Sequence, residues 1–263
     1  MPTNRTQTMS SELRDHSHLE DANDDGPGTR LIWAGLFFGL AVFAAVPGLD
    51  LLVSARYYDA QLGFVHANDP LVLASYKWTP LIGRCLVAAL TVYAAVAPLV
   101  ARLLAGLGHA DLAKRSAGHW RHAAVIAVCC GLLGPGLLVE GILKNAMGRP
   151  RPVQVVQFGG TDAYHGPFTP GHDPSNHRSF VTSHAAAGFW LMSLGLTCGP
   201  VWRRRWLLIG TVTGAVIGVG RMMQGGHFLS DVIFAFYAVW LSCELVAWAD
   251  RRLARRRLSR LTP

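Results

Sequence analysis

Charge is scarce in this chain: Asp, Glu, Lys and Arg supply 15% of its 263 residues, against 51% hydrophobic residues. So little polar sequence cannot cover a soluble globule of this size, and the composition suits a membrane protein. Acidic residues are the scarcer sign, 16 against 24 basic, for a net charge of +8. Cysteine is sparse too. Cys85, Cys129, Cys130, Cys198 and Cys243 all fall inside apolar runs with no metal-ligand spacing, which leaves packing as their role and excludes a disulfide framework. The start has no basic stretch closely followed by an apolar core and a cleavage site, so no signal peptide is expected and the first apolar run should stay in the mature protein.

What is present in quantity is long apolar sequence. A membrane-crossing helix needs roughly 20 mainly apolar residues, and six stretches qualify: Leu31–Ser54, Pro80–Leu103, Ala123–Leu143, His184–Pro200, Trp206–Met222 and Phe228–Trp248. The expected fold class is therefore all-α, a polytopic membrane protein of about six helices. Residues 1–30, with "DHSHLEDANDDGPG", are polar and poor in anchors and should be disordered. Residues 31–250 form the membrane domain, and 251–263 form a basic tail. Arg102, Lys114, Arg115, Arg121, Arg203, Arg204, Arg205 and the "RRLARRRLSR" tail fall on one side of a six-span arrangement. Positive-inside statistics make that side the cytoplasm, with both termini there, and the protein a multi-pass inner-membrane protein. The tail abuts a span, so anionic headgroups are its nearer partner, and no nucleic acid is expected.

The same topology brings Lys144, His184, Arg221 and His227 to the outer face. The long connection after Leu143 opens with "KNAMGRPRP" and closes with "RSFVTSH". It places Lys144, Arg149, Arg151 and Arg178 on the side where basic residues are disfavoured. A solvated basic loop is the bland reading; an anion is the functional one, because guanidinium forks match phosphate oxygens. In "RMMQGGHFLSD", His227 and Asp231 are four apart and share a helical face, so the carboxylate can fix the imidazole tautomer. A structural cap would look the same. The following helix start also offers backbone N–H groups to an anion.

Together these motifs resemble the type 2 phosphatidic acid phosphatases, a family sharing a core with vanadium haloperoxidases and bacterial acid phosphatases. The Lys, six residues, Arg-Pro element is Lys144 to Arg151-Pro152. The Arg, five residues, His, three residues, Asp element is Arg221, His227 and Asp231. In the Pro-Ser-Gly-His element, Val181, Thr182 and Ser183 replace the first three residues and His184 is kept. The resemblance covers roughly residues 80–248. It implies that His227 is the nucleophile, Asp231 orients it, and His184 is general acid and then base. Lys144, Arg151, Arg221, Thr182 and Ser183 would bind phosphate, with no metal and no cofactor. The implied partner is a phosphorylated lipid at the outer, periplasmic face: phosphatidic acid, phosphatidylglycerol phosphate, undecaprenyl pyrophosphate or lipid A, beside the membrane lipids themselves.

Residues outside the signature read more plainly. Arg149 and Arg178 are expected to be exposed loop charges, Arg84 to snorkel, and Glu140 to pair with Lys144 one helical turn on. His165, His172 and His177 are too loosely spaced for a metal site and read as loop residues. "FGG" and "FTP" look like elements of bacterial lipid A phosphatases, and turn chemistry explains them equally well. Two other classes stay open. A transporter would carry its charges near span centres, whereas here they sit at span ends, and a catalytically impaired phospholipid-binding or scaffold member is raised by Ser183.

Overall fold

The computed structural model describes residues 27–171, 173 and 175–259, so residues 1–26 of the segment expected to be disordered, and His172, lie outside the described residues. Among the described residues the regular structure is helical apart from one small hairpin and an isolated bridge between Val155 and Asp162, and the connection at 148–182 is mostly irregular. Helix α1 spans Pro27–Ala45 and a short α2 spans Leu49–Ser54. Strands β1 (Tyr58–Asp59) and β2 (Gly63–Phe64) pair antiparallel, and α3 then runs from Pro70 to Gly106. After α4 (Ala110–Arg115), π-type turns at Ser116–Trp120 and Leu132–Leu143 flank α5 (Arg121–Gly131) and lead into α6 (Lys144–Met147). Helix α7 covers Ser183–Phe189, α8 Pro200–Met223 and α9 Leu229–Ser259. The basic residues after Ala249 thus begin as a continuation of α9. Residues 43–249 make one compact unit, and the described residues 27–42 and 250–259 group separately.

Among the described residues, five helical stretches are long and apolar enough to cross a bilayer: Gly28–Ala45, Pro70–Gly106, Ala110–Gln154, Pro200–Met223 and Leu229–Ser259. The apolar run at 184–200 takes another form. It folds as α7 followed by a 3₁₀ segment, Trp190–Gly195, together about 22 Å long and well short of an ordinary crossing. This segment lies antiparallel along α8 and is largely buried. A Cβ on Gly188 would meet the Gly214 backbone at 2.7 Å, and one on Gly210 the Met192 backbone at 2.6 Å. Glycines at 188, 210 and 214 therefore let backbone meet backbone, the contact that holds helices together where lipid removes the hydrophobic drive, and Gly218 makes room for the Val232 side chain. On the outer faces, Val92, Leu99, Leu208, Val212 and Val216 are exposed, as lipid-facing positions should be.

Helix α3 starts ten residues before the expected span, and Pro80 sits inside it. Proline has no N–H to donate four residues back, so the carbonyl of Tyr76 is released from the helix ladder. Beyond the helix ends, β2 and the 152–164 connection meet. Phe64, Val155, Phe158 and Phe228 form a buried hydrophobic cluster, flanked by Tyr58 and Tyr164.

Candidate active site

Chain direction alone gathers the polar residues. Tyr76 lies near the start of α3, Lys144 at the start of α6, His184 in the first turn of α7, Arg221 in the last turn of α8 and Asp231 in the first turn of α9. All occupy the same end of the 43–249 unit. Arg203, at the other end of α8, pairs with Glu244 at 3.2 Å.

His227 precedes α9 and is almost fully buried. Its Nδ1 lies 2.7 Å from the Ser179 carbonyl, which accepts only if Nδ1 carries the proton, so Nε2 is left with the lone pair. The Asp231 carboxylate is 3.6 Å from the same Nδ1. Burial pushes the imidazole down to about 4 against the pull of Asp231, so the ring is neutral at pH 7. Asp231 itself accepts from the Ser179 hydroxyl at 2.6 Å and the Phe228 N–H at 2.8 Å, and pairs with Arg149 at 2.6 Å.

Two glycines set this geometry. Gly225 has φ +63°, and a Cβ there would meet Phe64 at 2.5 Å and Val153 at 2.6 Å; a side chain on Gly226 would run into the Arg221 guanidinium. Gly225→Ala should destabilise the protein by about 1–3 kcal/mol in thermal unfolding. It should also cost about tenfold in turnover, because His227 is two residues downstream and its aim would shift. Unchanged turnover with unchanged stability would contradict this account of the turn.

The cations behave differently from ordinary surface charge. Lys144, Arg151, His184, Arg221 and His227 form one electrostatic neighbourhood: His184 feels Arg221, His227 and Lys144, while Lys144 and Arg221 both feel the charge of Arg151. Arg151 Nε, Arg221 Nε and His184 Nε2 are buried and have no hydrogen-bond partner among the described residues. Buried polar atoms are normally satisfied, and each orphan is costly unless a ligand completes it. Tyr76 supports two of the three residues. Its ring stacks on His184 at 5.1 Å and lies under the Arg221 guanidinium at 4.5 Å, and its backbone, with the carbonyl that Pro80 releases, hydrogen-bonds the His184 ring.

Glu140 pairs with Lys144 at 2.8 Å, as the helical spacing suggested, and also contacts the Ser183 hydroxyl. Arg178 joins this group through Asn145 at 2.7 Å and Glu140 at 3.4 Å. Ser183 thus stands beside the basic cluster with its hydroxyl turned to Glu140. Thr182 is fully buried, caps α7 by accepting from the Ala185 N–H at 3.5 Å, and donates its own N–H to the Asp231 carbonyl. Of the loop histidines, His177 pairs with Asp162 at 3.0 Å and His165 presents its backbone carbonyl to Arg149. No group of three His, Cys, Asp or Glu among the described residues is arranged to hold a metal ion.

Arg149 corrects an expectation. It is not an exposed loop charge but has 0% of its surface accessible and pairs with Asp50 at 2.7 Å as well as with Asp231. Tyr164, whose hydroxyl donates to the Pro47 carbonyl at 2.8 Å, closes the group; burial, reinforced by Asp50, pushes its phenol up to about 12. Tyr76, Asp50 and Ser179 carry no motif. The available signals were a lone aspartate inside the first apolar run and a tyrosine four residues before a proline.

Residues 118–255 match the PAP2 superfamily. A lipid A 4'-phosphatase of Francisella tularensis subsp. novicida (strain U112) is 30% identical over 222 residues, covering 80% of this chain and 90% of the relative. A lipid A 4'-phosphatase of Rhizobium leguminosarum is 29% identical over 214 residues, 79% of this chain and 88% of the relative. No solved structure matches.

Proposed function

The chain belongs to the PAP2 superfamily, and from that premise we propose that it is a phosphoric monoester hydrolase that removes the 4'-phosphate of a lipid A-type glycolipid at the outer face of the inner membrane. One observation carries the reading. Arg151 Nε and Arg221 Nε, unpartnered donors buried beside a neutral histidine, are what a phosphate would complete, and the His184 ring nitrogen Nε2 is likewise unpartnered. The names of the two relatives supply the lipid. The outer face is supported by charge placement: Arg102, Arg121 and Arg203–Arg205 lie at the end of the 43–249 unit opposite the site.

In this reading the Nε2 lone pair of His227 attacks phosphorus, and the bond from phosphorus to the sugar oxygen breaks. His184, having taken up a proton as the phosphate dianion enters beside it, delivers that proton from Nε2 to the sugar oxygen. Arg151, Arg221 and Lys144 take the equatorial oxygens, where charge stays spread through the transfer. His184, now unprotonated, removes a proton from water, which attacks the phosphohistidine and releases inorganic phosphate with His227 restored. Every step uses side chains of this chain.

The test is phosphate release by purified protein in detergent with EDTA, from lipid A, phosphatidic acid, phosphatidylglycerol phosphate and undecaprenyl pyrophosphate. Lipid A should be preferred by about tenfold or more in kcat/KM, and mass spectrometry should show the 4'-phosphate missing. A folded protein that releases phosphate from none of the four would sink the reading. Preference for a glycerophospholipid would keep the hydrolase and change its substrate.

A further inference from the structure

The arginines near the site divide by how many of their donors are used. Arg151 and Arg221 each keep a buried N–H without a partner, as a ligand-binding arginine should. Arg149 keeps none. Its Nε donates to the His165 carbonyl at 2.9 Å, Nη1 to Ser230 Oγ at 2.8 Å and Asp231 Oδ1 at 2.6 Å, and Nη2 to Asp50 Oδ2 at 2.7 Å and the Tyr164 hydroxyl at 3.3 Å. A guanidinium has five N–H donors, so nothing is left for phosphate. The Phe228 ring lies across its face at 4.2 Å.

What Arg149 holds is the segment that carries the nucleophile. Asp50 accepts from the Ser230 N–H at 2.8 Å and the Ser230 hydroxyl at 2.5 Å, so the first turn of α9 is pinned from α2, far away in sequence. The Arg149 carbonyl accepts the Ser179 N–H at 2.9 Å, and the Ser179 carbonyl in turn accepts from His227. Asp50 lies outside the residues that match the PAP2 superfamily. We infer that Arg149 and Asp50 are positioning residues: through Asp231 and Ser179 they set the orientation and charge environment of His227. This rests on the hydrolase reading above.

The pair is electrostatically opposed, and that makes the inference testable. The charged and titratable groups facing His227 are Asp231 from α9, Arg221 from α8, Lys144 from α6 and His184 from α7, with Arg149 behind Asp231 and Asp50 behind Arg149. Arg149→Gln removes positive charge, favours the imidazolium, and should move the acid limb of kcat/KM up by about one pH unit. Asp50→Asn removes negative charge and should move it down. Arg149→Lys keeps the charge without the fork and should leave the limb near that of the wild type. In all three, kcat should fall by about 10²-fold at pH 7 while KM changes less than about threefold, since none of these groups touches substrate.

The experiment is the pH profile of these three variants on the best lipid of the panel, with their thermal unfolding recorded and the His227 ring titrated in parallel by nitrogen NMR. Opposite displacements for Arg149→Gln and Asp50→Asn support the inference. Limbs and ring titrations that coincide with wild type while stability falls would reduce the network to a structural brace and overturn it. A rise in KM with unchanged kcat would make Arg149 a phosphate ligand, which also overturns it. Should Arg149→Gln not fold, Asp50→Asn against Arg149→Lys decides by the same criterion. If the wild type releases no phosphate, the hydrolase reading fails, and the ring titrations still decide whether this pair controls His227.

Discussion

His227→Ala is expected to reduce phosphate release by about 10⁴-fold or more, to a level set by binding and charge stabilisation alone. The size follows from what the side chain does in place. Its Nδ1 proton is committed to the Ser179 carbonyl at 2.7 Å, and burial keeps the ring neutral, so the Nε2 lone pair is available at any pH above about 4. No neighbour can substitute: Lys144 is held by Glu140, and His184 is stacked on Tyr76. Removing the ring leaves one buried carbonyl without its donor, a loss the fold should survive, so the variant should unfold near the wild-type temperature. Single-turnover acid quench should find an acid-labile phosphoenzyme in the wild type and none in the variant. Retention of more than about a tenth of the activity would exclude His227 as the nucleophile.

The site was legible where chemistry follows short-range spacing. Lys144, Arg151, Arg221, His227 and Asp231 are found by counting residues, and the structure brings them to one end of the bundle because α6, α7, α8 and α9 begin or end there. The Glu140–Lys144 pair follows from one helical turn. Arg149 was misread for the opposite reason. Its partner Asp50 is 99 residues away, inside the first apolar run, and nothing in "GRPRP" separates a saturated arginine from one left open. The fourth apolar run, 184–200, is short even by count, but its change from α-helix to 3₁₀ was not legible, since a 3₁₀ segment of six residues has the same composition as a helix. In "FGG" the turn reading was sound. Gly159 has φ +82°, and a Cβ on Gly160 would collide with the Gln154 backbone, so steric need alone explains both glycines.

Arg221→Met should separate catalysis from stability. Arg221 is 6% exposed, with Nε unpartnered and Arg151 as an electrostatic neighbour. Its favourable contacts, the Tyr76 face and the Gln224 side chain, do not complete the guanidinium. Holding such a cation without its anion costs the free protein, whereas methionine keeps the apolar stem and loses the charge. The variant should therefore match or exceed wild-type stability by about 1 kcal/mol while losing about 10²–10³-fold in kcat/KM. Inorganic phosphate should raise the unfolding temperature of the wild type and have little effect on the variant, because the anion stabilises only the state that binds it. Loss of stability together with an intact phosphate response would mean that Arg221 braces the fold and that the oxygens are held elsewhere. The expected result, a protein made stabler by removing a residue it needs for turnover, follows if the basic cluster is built for the phosphoryl group it receives.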